Sequence, residues 1–564
     1  MIQEQSLLVE GLKISFTTGN SEFEAIKNLS FELLKGECLG IVGESGSGKS
    51  VTSLALMGLL AKNAKIGAEK LKLSFSGEHI DIQELSAKGW REVRGKKVSM
   101  IFQEPMSSLN PVMTCGDQVA EALLYRLKLP KQEVKKRCLQ LFEEVKLPDP
   151  EKAFNSYPHQ LSGGQRQRVM IAMALSCNPD ILIADEPTTA LDVTVQKNIL
   201  ELIADLRNTR GMSVIFITHD LGVVAAVAQK IAVLYRGELV EYGTAEEVLK
   251  NPVHAYTKGL LACRPSLHQR VERLPSLQEI LLHSGNYPDL KIRSIETERQ
   301  KVKELNERPT ILELNKIVVE YPGIKKGENF RAVNQVDLYL KKGETLGLVG
   351  ESGCGKSTLS RAIMRLSPIT SGNMIFEGQE IGYIPESQFR AYRKKMQLIF
   401  QDPYSSLNPK IRIGDAITEP MKVHGLNGNE ASRKNRAFEL LDEVGLKGDF
   451  FNRYPHEFSG GQRQRIVIAR ALAVEPEFLI CDESVAALDV SVQAQVLNLL
   501  ADLRDKYKLS MIFISHDLSV VAHMSNRIAV MYRGQIEEVG ITDDIVSHPQ
   551  SPYTQKLISS IPEL

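Results

Sequence analysis

Short apolar runs interrupt a mixed chain and predict the strands of a buried parallel sheet. Cys38–Val42, Ile181–Ala184 and Ser213–Thr218 consist almost wholly of apolar residues. Strands of a parallel sheet are covered by helices on both faces, so they lack polar alternation. Between the first two runs, residues 117–147 carry Leu, Glu and Lys at helical spacing. This order predicts an α/β core interrupted by a helical insertion.

The same order of patterns occurs twice. The chain opens with strand-like alternation in Leu7–Phe16, and Ile311–Tyr321 repeats it. Residues 415–446 repeat the helical stretch, and Phe478–Cys481 and Ser510–Ser515 repeat the apolar runs. A period as long as a whole domain indicates a tandem duplication.

Short motifs support the duplication. SGGQRQR occurs at Ser162–Arg168 and at Ser459–Arg465. QEPMSSLNP, which begins at Gln103, returns as QDPYSSLNP, which begins at Gln401. The first half is longer between its glycine-rich loop and its glutamine, and we place the additional residues around Ala61–Lys72.

Residues 269–308 read as a linker between a first domain over 1–268 and a second over 309–564. The stretch holds Pro275 and a mixed-charge run over residues 292–307, which is typical of a linker with one solvated helix. About 40 flexible residues span an r.m.s. distance of roughly 35 Å. The halves could therefore meet face to face, and pairing within one chain and pairing between two chains both stay open.

Composition narrows the functional classes. The net charge is zero over 564 residues, which gives no support for bulk electrostatic binding to nucleic acid. Seven cysteines stand singly and the N-terminus does not resemble a signal peptide, so we expect an intracellular setting. No apolar run approaches the roughly 18–20 residues that span a bilayer. If the protein serves a membrane, we expect it to do so through partners.

Each half contains a glycine-rich loop that follows an apolar strand and opens a helix. GESGSGKS and GESGCGKS match the phosphate-binding pattern GxxxxGK[ST], in which backbone N–H groups and the helix N-terminus face the phosphates. Lys49 can reach the β- and γ-phosphates, and Ser50 can ligate Mg²⁺. The predicted phosphate-binding residues are Gly43, Glu44, Ser45, Gly46, Ser47, Gly48, Lys49 and Ser50, and Gly350, Glu351, Ser352, Gly353, Cys354, Gly355, Lys356 and Ser357.

Two apolar strands end in paired acids, ILIADE and FLICDE. The first acid, Asp185 or Asp482, is placed to hold Mg²⁺, usually through water. The second, Glu186 or Glu483, suits a general base or a water-positioning group. Solvated acids at a strand end are the alternative, which the duplication disfavours.

A glutamine and a histidine complete each predicted hydrolytic set. Gln103 and Gln401 follow strands and can bridge Mg²⁺ and the attacking water. His219 and His516 end strands, and we predict that each contacts the γ-phosphate. A hydrogen-bonded strand-end histidine without a catalytic role is the alternative.

LSGGQ and FSGGQ open helices and create a second anion-binding surface in each half. Each half thus has two phosphate-binding surfaces but one P-loop lysine. We predict that the signature of one half covers the nucleotide of the other. The signature residues are Ser162, Gly163, Gly164 and Gln165, and Ser459, Gly460, Gly461 and Gln462.

Cys354 stands where the first P-loop has Ser47. The helix N-terminus and Lys356 should favour its thiolate, so we expect thiol reagents to inhibit the protein and ATP to protect it. An unreactive small residue is the alternative.

Over nearly its full length the chain resembles ATP-binding cassette (ABC) ATPases. Within that superfamily it resembles the oligopeptide/dipeptide and nickel importer ATPases. The narrower resemblance rests on QEPMSSLNP and QDPYSSLNP, on YPHQLSGGQRQR and YPHEFSGGQRQR, and on the terminal segments NPVHAYTKGLL and HPQSPYTQKL.

The resemblance implies two tandem P-loop NTPase domains, each with a RecA-like core, an antiparallel β subdomain and a helical subdomain. It further implies that Phe16 and Tyr321 stack on adenine, although Phe16 could instead be a core strand residue. Residues 104–158 and 402–455 would form the grooves for permease coupling helices.

The implied activity is hydrolysis of ATP with Mg²⁺ to drive uptake of peptides or related small solutes. The implied partners are two transmembrane permeases and an extracytoplasmic solute-binding protein, with no nucleic acid, and the implied location is the cytoplasmic face of the cell membrane. Only Cys263 lies where some relatives have a cysteine cluster, so we expect no iron–sulfur site. Ser484-Val485 replaces the Pro-Thr that follows Glu186, and this departure puts the equality of the two sites in doubt.

A soluble twin-cassette ATPase that acts on ribosomes is the main alternative. Such proteins would carry a longer charged helical linker and basic extensions, and this chain has neither. Twin-cassette DNA-repair ATPases would need large insertions, zinc motifs or coiled coils, and the sequence contains none of these.

Overall fold

The computed structural model describes residues 4–19, 21–75, 78–103, 108–189, 191–283, 285, 290–323 and 329–561. The chain divides into two compact units. The first runs to Leu261 and takes in a short stretch that begins at Ile280, and the second takes in Ala262–Glu279 and the chain up to Ile561. Parallel sheets covered by helices confirm the α/β prediction.

The first unit is built around an eleven-stranded sheet. Its strands are Gln5–Thr18, Ser21–Leu34, Cys38–Val42, Ala64–Gly67, Lys70–Phe75, Glu78–Asp81, Val98–Ile101, Ile181–Asp185, Ser213–Thr218, Lys230–Tyr235 and Glu238–Thr244.

The parallel part of this sheet positions the functional loops. Cys38–Val42 pairs in parallel with Ser213–Thr218 on one side and with Lys230–Tyr235 on the other. Ile181–Asp185 lies between Ser213–Thr218 and Val98–Ile101, again in parallel. Because parallel strands end at the same edge, the chain segments that follow them lie side by side at that edge.

Helices cover this sheet and form the insertion. They are Lys49–Leu56, Ala87–Val93, Cys115–Ala122, Lys131–Glu144, Pro150–Asn155, Gly163–Leu175, Val193–Arg210, Leu221–Ala225, Ala245–Lys250 and Ala255–Ala262, with shorter turns at Ile82–Glu84, Leu123–Leu127 and Pro158–Gln160. Local sequence sets several of their ends. The Asp192 carboxylate accepts from the amide of Val195 at one end of the long helix, and Gly211 ends it in the left-handed conformation.

The second unit repeats the architecture with two separate sheets. The antiparallel sheet contains Thr310–Pro322, Asn329–Lys341, Ser371–Phe376 and Gln379–Glu380. The core sheet contains Thr345–Val349, Met396–Ile399, Phe478–Asp482, Ser510–Ile514, Arg527–Tyr532 and Gln535–Ile541. Its helices are Lys356–Ile363, Glu386–Lys395, Pro403–Ser406, Ile413–Val423, Glu430–Glu443, Gly460–Leu472, Val490–Tyr507, Leu518–Met524, Thr542–Ser547 and Pro552–Ile558, with turns at Gly448–Asn452 and Pro455–Glu457.

The additional residues of the first half form a strand. Ala64–Gly67 pairs antiparallel with Lys13–Phe16. The corresponding strand of the second unit, Thr310–Pro322, pairs with Asn329–Lys341 and Ser371–Phe376. The added length therefore extends the antiparallel subdomain, within the region that the sequence comparison indicated.

Most of the segment between the halves is built into the second unit, and the short stretch that begins at Ile280 groups with the first. Arg270 is 6% exposed, pairs with Asp543 at 2.9 Å and donates to the carbonyl of Ser525. The Asn498 amide exchanges two hydrogen bonds with the backbone of Leu274. Residues 262–279 and 290–308 thus form a strap packed on the second unit, whereas the sequence suggested a flexible tether.

The segment contains two helices, Leu277–Leu282 and Ile295–Glu307, and the end of the first helix groups with the first unit. Arg293 donates to the carbonyl of the buried His523. The helix Ile295–Glu307 buries Val302 and Leu305 on one face, so it is only partly solvated. In the described portions of the chain, no helix is long and apolar enough to cross a bilayer.

Candidate functional site

The first P-loop lies between Cys38–Val42 and Lys49–Leu56. Lys49 is 5% exposed, and its Nζ donates to the carbonyls of Gly43 and Glu44 at 2.5 and 2.9 Å. The ammonium is therefore held inside the loop that it would share with phosphate oxygens.

Gly48 allows the loop to turn directly into the helix. Its φ is 106°, a left-handed conformation that side chains rarely adopt. A Cβ at this position would also lie 2.4 Å from Cδ1 of Ile26. The glycine is therefore needed both for its backbone angle and for close packing against the antiparallel strand.

The second P-loop repeats this geometry. The Nζ of Lys356 donates to the carbonyls of Gly350 and Glu351 at 2.7 and 2.9 Å. Gly355 has φ 113°.

The thiol of Cys354 does not ionise as readily as the sequence predicted. The thiol is 5% exposed, and although Lys356 lies 3.8 Å from its Sγ, burial raises the pKa of Cys354. Burial therefore outweighs the nearby positive charge, and the expectation of a favoured thiolate is wrong.

The first acid of each pair lies against the P-loop helix. The Asp185 carboxylate accepts from the hydroxyls of Ser50 and Ser53 at 3.4 and 3.3 Å. The Asp482 carboxylate accepts from Ser357 and Ser360, each at 3.0 Å. Burial raises the pKa of both aspartates. Sequence reasoning did not single out Ser53 and Ser360, although each stands three residues after a P-loop serine, one helical turn along.

The second acid of the first half, Glu186, contacts three polar side chains. Gln103 Nε2 donates to the Glu186 carboxylate at 3.1 Å, the Thr189 hydroxyl donates at 2.8 Å, and Nδ1 of His219 lies at 3.3 Å. Burial alone would raise the pKa of Glu186, but the bonds from His219 and Thr189 lower it to about 2. Its φ of 48° is unusual for a residue with a side chain, so the glutamate stands in a strained backbone conformation.

The second half forms the same cluster with one group fewer. Gln401 Nε2 donates to Glu483 at 2.7 Å, and Nδ1 of His516 lies 3.6 Å from that carboxylate. Glu483 also has φ 48°. Burial would lower the pKa of His516, but the carboxylate beside it raises that pKa overall. Ala486 stands where the first half has Thr189, so no hydroxyl reaches Glu483 from that position.

The signature motifs begin helices as the sequence suggested. The Ser162 hydroxyl accepts from the amide of Gln165 at 3.3 Å, and the Gln165 side chain accepts from the amide of Ser162 at 3.0 Å. Ser459 and Gln462 form the same reciprocal pair. In both helices the serine is exposed, so the helix start is accessible to a ligand.

The predicted adenine-stacking residues lie on the antiparallel strands. Phe16 packs partly against the core of its unit, and the Tyr321 hydroxyl lies 3.2 Å from that of Ser367. Across the hairpins they pair with Phe23 and Phe330, which are 67% and 61% exposed. Two exposed aromatics therefore lie beside the predicted stacking residues, and sequence reasoning did not single them out.

The P-loop, the acid pair, the glutamine and the histidine of each half therefore converge at one edge of the core sheet. A lysine, buried hydroxyls, and a carboxylate held by donors form a set that can bind a nucleoside triphosphate and activate water. The structure brings these groups together separately within each unit.

Comparison with known proteins shows the family to which the chain belongs. The ABC transporter family matches residues 26–189 and 333–486. The family described as the C-terminal region of oligopeptide/dipeptide transporters matches residues 240–289 and 538–564.

The chain also matches individual proteins over nearly its whole length. The chain is 47% identical to the glutathione import ATP-binding protein GsiA of Shigella sonnei (strain Ss046) over 99% of this chain and 89% of that protein. The GsiA protein of Escherichia coli (strain K12) matches with the same identity and coverage. Among solved structures, a dimeric ATP-binding cassette bound to ADP and Pi aligns at 27% identity with 41% of this chain and 99% of that chain, with a TM-score of 0.38.

Both halves carry the cassette sequence, and both end in the transporter-specific region, so the ribosome-directed alternative is not favoured. The chain belongs to the ABC transporter ATP-binding proteins and is an ATPase with two nucleotide-binding cassettes fused in one polypeptide.

Proposed function

We propose that this chain energises a membrane importer for peptides or related small solutes. The observation that carries the proposal is that each cassette combines a full hydrolytic set with the oligopeptide/dipeptide transporter region. Relatives of nearly the same length are named for glutathione import, and glutathione is a small peptide. A small peptide is therefore the first solute to test.

Two nucleotides would be bound, each by the P-loop of one cassette and the signature of the other. The serines that begin the signature helices are exposed, so these helix starts suit the γ-phosphate of a nucleotide held elsewhere. Phe16 and Tyr321 would stack on the adenine rings.

The residues beside each P-loop fit Mg²⁺. The ion prefers oxygen ligands and retains several waters, and the buried carboxylate of Asp185 or Asp482 lies beside a serine hydroxyl. Ser50, Gln103 and Asp185 would hold the ion in the first half, and Ser357, Gln401 and Asp482 in the second. When bound, Mg²⁺ neutralises charge on the phosphates.

The remaining groups would direct the water. Glu186 and Glu483 are held as carboxylates by their hydrogen-bond donors, so each can accept a proton from water. Gln103 and Gln401 would orient that water. His219 and His516 lie against the glutamates, and we assign each of them a γ-phosphate contact.

The partners would be two permeases and an extracytoplasmic solute-binding protein, with the chain on the cytoplasmic face of the membrane. The helical insertions would supply the docking grooves for the permeases. The predicted first insertion begins at Glu104, and residues 104–107 lie outside the described part of the chain.

Reconstitution with a pair of permease subunits tests the proposal. We expect ATP-dependent uptake of glutathione or a short peptide into vesicles, and no uptake when Glu186→Gln and Glu483→Gln are combined. Purification of the chain with ribosomes instead of hydrophobic permeases would contradict the proposal.

A further inference from the structure

The transporter-specific region of each cassette reaches the P-loop through one tyrosine. The Tyr256 hydroxyl accepts a hydrogen bond from the backbone amide of Glu44 at 3.0 Å. In the second cassette the Tyr553 hydroxyl accepts from the amide of Glu351, also at 3.0 Å. We propose that Tyr256 and Tyr553 are positioning residues that hold the P-loops in shape for nucleotide, an inference that rests on the nucleotide sites and not on the solute.

Each tyrosine is fixed by aromatic packing. Tyr256 is fully buried, and its ring centroid lies 4.2 Å from that of Tyr235, at the end of the core strand beside the P-loop strand. Tyr553 is half-buried and packs against Tyr532 at the same separation. The hydroxyl is therefore presented from a rigid support, which a positioning role requires.

The chain before each tyrosine is tied to the core sheet by a carboxylate. Glu241 accepts from the amides of Val253 and His254 at 2.8 and 3.2 Å. Glu538 accepts in the same way from the amides of Gln550 and Ser551. The terminal segment of each cassette is thus anchored before it delivers its tyrosine.

The bonded amide belongs to the residue whose carbonyl holds the P-loop lysine. In the first loop, Glu44 donates its N–H to Tyr256 and accepts from Nζ of Lys49 through its C=O. A lysine that turns toward phosphate gives up the carbonyl bond, whereas the tyrosine bond can persist. The hydroxyl therefore keeps the start of the loop ordered, and less conformational entropy is lost when nucleotide binds.

The test removes each hydroxyl while the ring stays. In the double variant Tyr256→Phe with Tyr553→Phe, we expect the Kd for ATP and the KM to rise about fivefold to tenfold, which is typical for loss of one hydrogen bond per site. We expect kcat to change by less than about twofold, because the groups that activate water are untouched.

Matched controls are available in each cassette. The Tyr242 hydroxyl donates to the carbonyl of Glu32, and that of Tyr383 donates to the carbonyl of Gly372. Tyr242→Phe and Tyr383→Phe also remove hydroxyls bonded to backbone, but away from the P-loops. We expect these variants to retain the wild-type Kd for ATP.

Hydrogen exchange supplies a readout at the bonded atom. We expect the amides of Glu44 and Glu351 to exchange faster in the phenylalanine variants than in the wild type or the controls. An unchanged Kd for ATP in a folded double variant, or unchanged exchange at both amides, would overturn the proposal. Nucleotide binding is measured without a permease, so a failure of solute uptake leaves this result unaffected.

Discussion

The two cassettes place the same polar groups around their P-loops but differ in the residues that contact the second acid of each pair. Glu186 accepts a hydroxyl bond from Thr189, whereas Glu483 has Ala486 at the matching position. The glutamine and histidine partners occur in both halves. Divergence after duplication has therefore kept the glutamine and histidine beside each glutamate and changed the hydroxyl that supports it.

A larger difference lies away from the nucleotide. The second unit is covered by the strap, which bonds Asn498, His523 and Asp543. The matching positions of the first cassette hold Glu201, Ala226 and Glu246. Of these, only Glu201 changes the group that the strap contacts, because Arg293 bonds the backbone carbonyl of His523 and Glu246 keeps a carboxylate. Most of the segment between the halves groups with the second unit, so the two units should differ in stability as well as in turnover.

The largest expected effect compares the catalytic glutamates. Glu186→Gln and Glu483→Gln should each retain ATP binding, and the double variant should lower ATP turnover by roughly 10²–10⁴-fold because the proton acceptor is lost. Steady-state ATPase assays on both single variants measure how the sites share turnover. Wild-type turnover in the double variant would contradict the assigned base in both cassettes.

The next effect concerns the strap. Arg270→Ala should lower the free energy of unfolding of the second unit by about 3 kcal/mol, because it leaves a partly buried carboxylate at Asp543 without its cation. Arg273→Ala is the matched control, since its pair with Asp502 is exposed and should contribute less than about 1 kcal/mol. Denaturant unfolding followed by unit-resolved hydrogen exchange distinguishes them, and equal losses would argue against the strap as a stabilising element.

The folding stability of the two units should also differ in its dependence on pH. Burial, with the charges of Arg293, Arg270 and Arg504, lowers the pKa of His523 to about 3, below the value of about 6.5 in an unfolded chain. Between these values the unfolded chain binds a proton that the folded chain does not. The stability contribution is thus fully present above about pH 6.5 and falls by about 1.4 kcal/mol per pH unit below it.

His523→Ala introduces the residue found at the matching position of the first cassette. The slope of unfolding free energy against pH, measured between about pH 6 and 4.5, should become shallower in this variant. Identical slopes in the variant and the wild type would show that His523 does not titrate as its burial implies.

The smallest effect sharpens the comparison of the glutamates. Thr189→Ala, made in the Glu483→Gln background, should lower the remaining turnover by about tenfold, because a hydrogen bond to a charged carboxylate contributes about 1.5 kcal/mol. Ala486→Thr in the Glu186→Gln background tests the reciprocal change. Turnover unaffected by either exchange would mean that the hydroxyl does not help to position the carboxylate.

Much of the architecture could be predicted from the chain. Buried parallel strands are almost continuously apolar, so Ile181–Asp185 and Phe478–Asp482 were recognisable, and the family match confirmed the twin cassettes. The clusters at Glu186 and Glu483 followed from strand ends that meet at one edge. These features depend on the local pattern of apolar residues and on the sheet topology that this pattern implies.

The remaining features depend on tertiary packing. The mixed-charge run of the strap resembles a solvated linker, and only its partners on the second unit show that Arg270 is buried. The thiol of Cys354 stands beside a cation in sequence, but its enclosure decides its pKa. The tyrosine bonds to Glu44 and Glu351 join residues about two hundred positions apart, which no local pattern reports.

The strap also determines where the polypeptide could be divided. The gene could be split to encode two separate subunits. If the second reading frame began near Ala262, residues 262–279 would still cover the surface of the second subunit. A frame that began at Pro309 would match the cassette motif boundary but would expose the side chains of Asn498 and Asp543. Most of the join between the cassettes thus belongs, in genetic terms, to the second subunit, although the stretch that begins at Ile280 groups with the first.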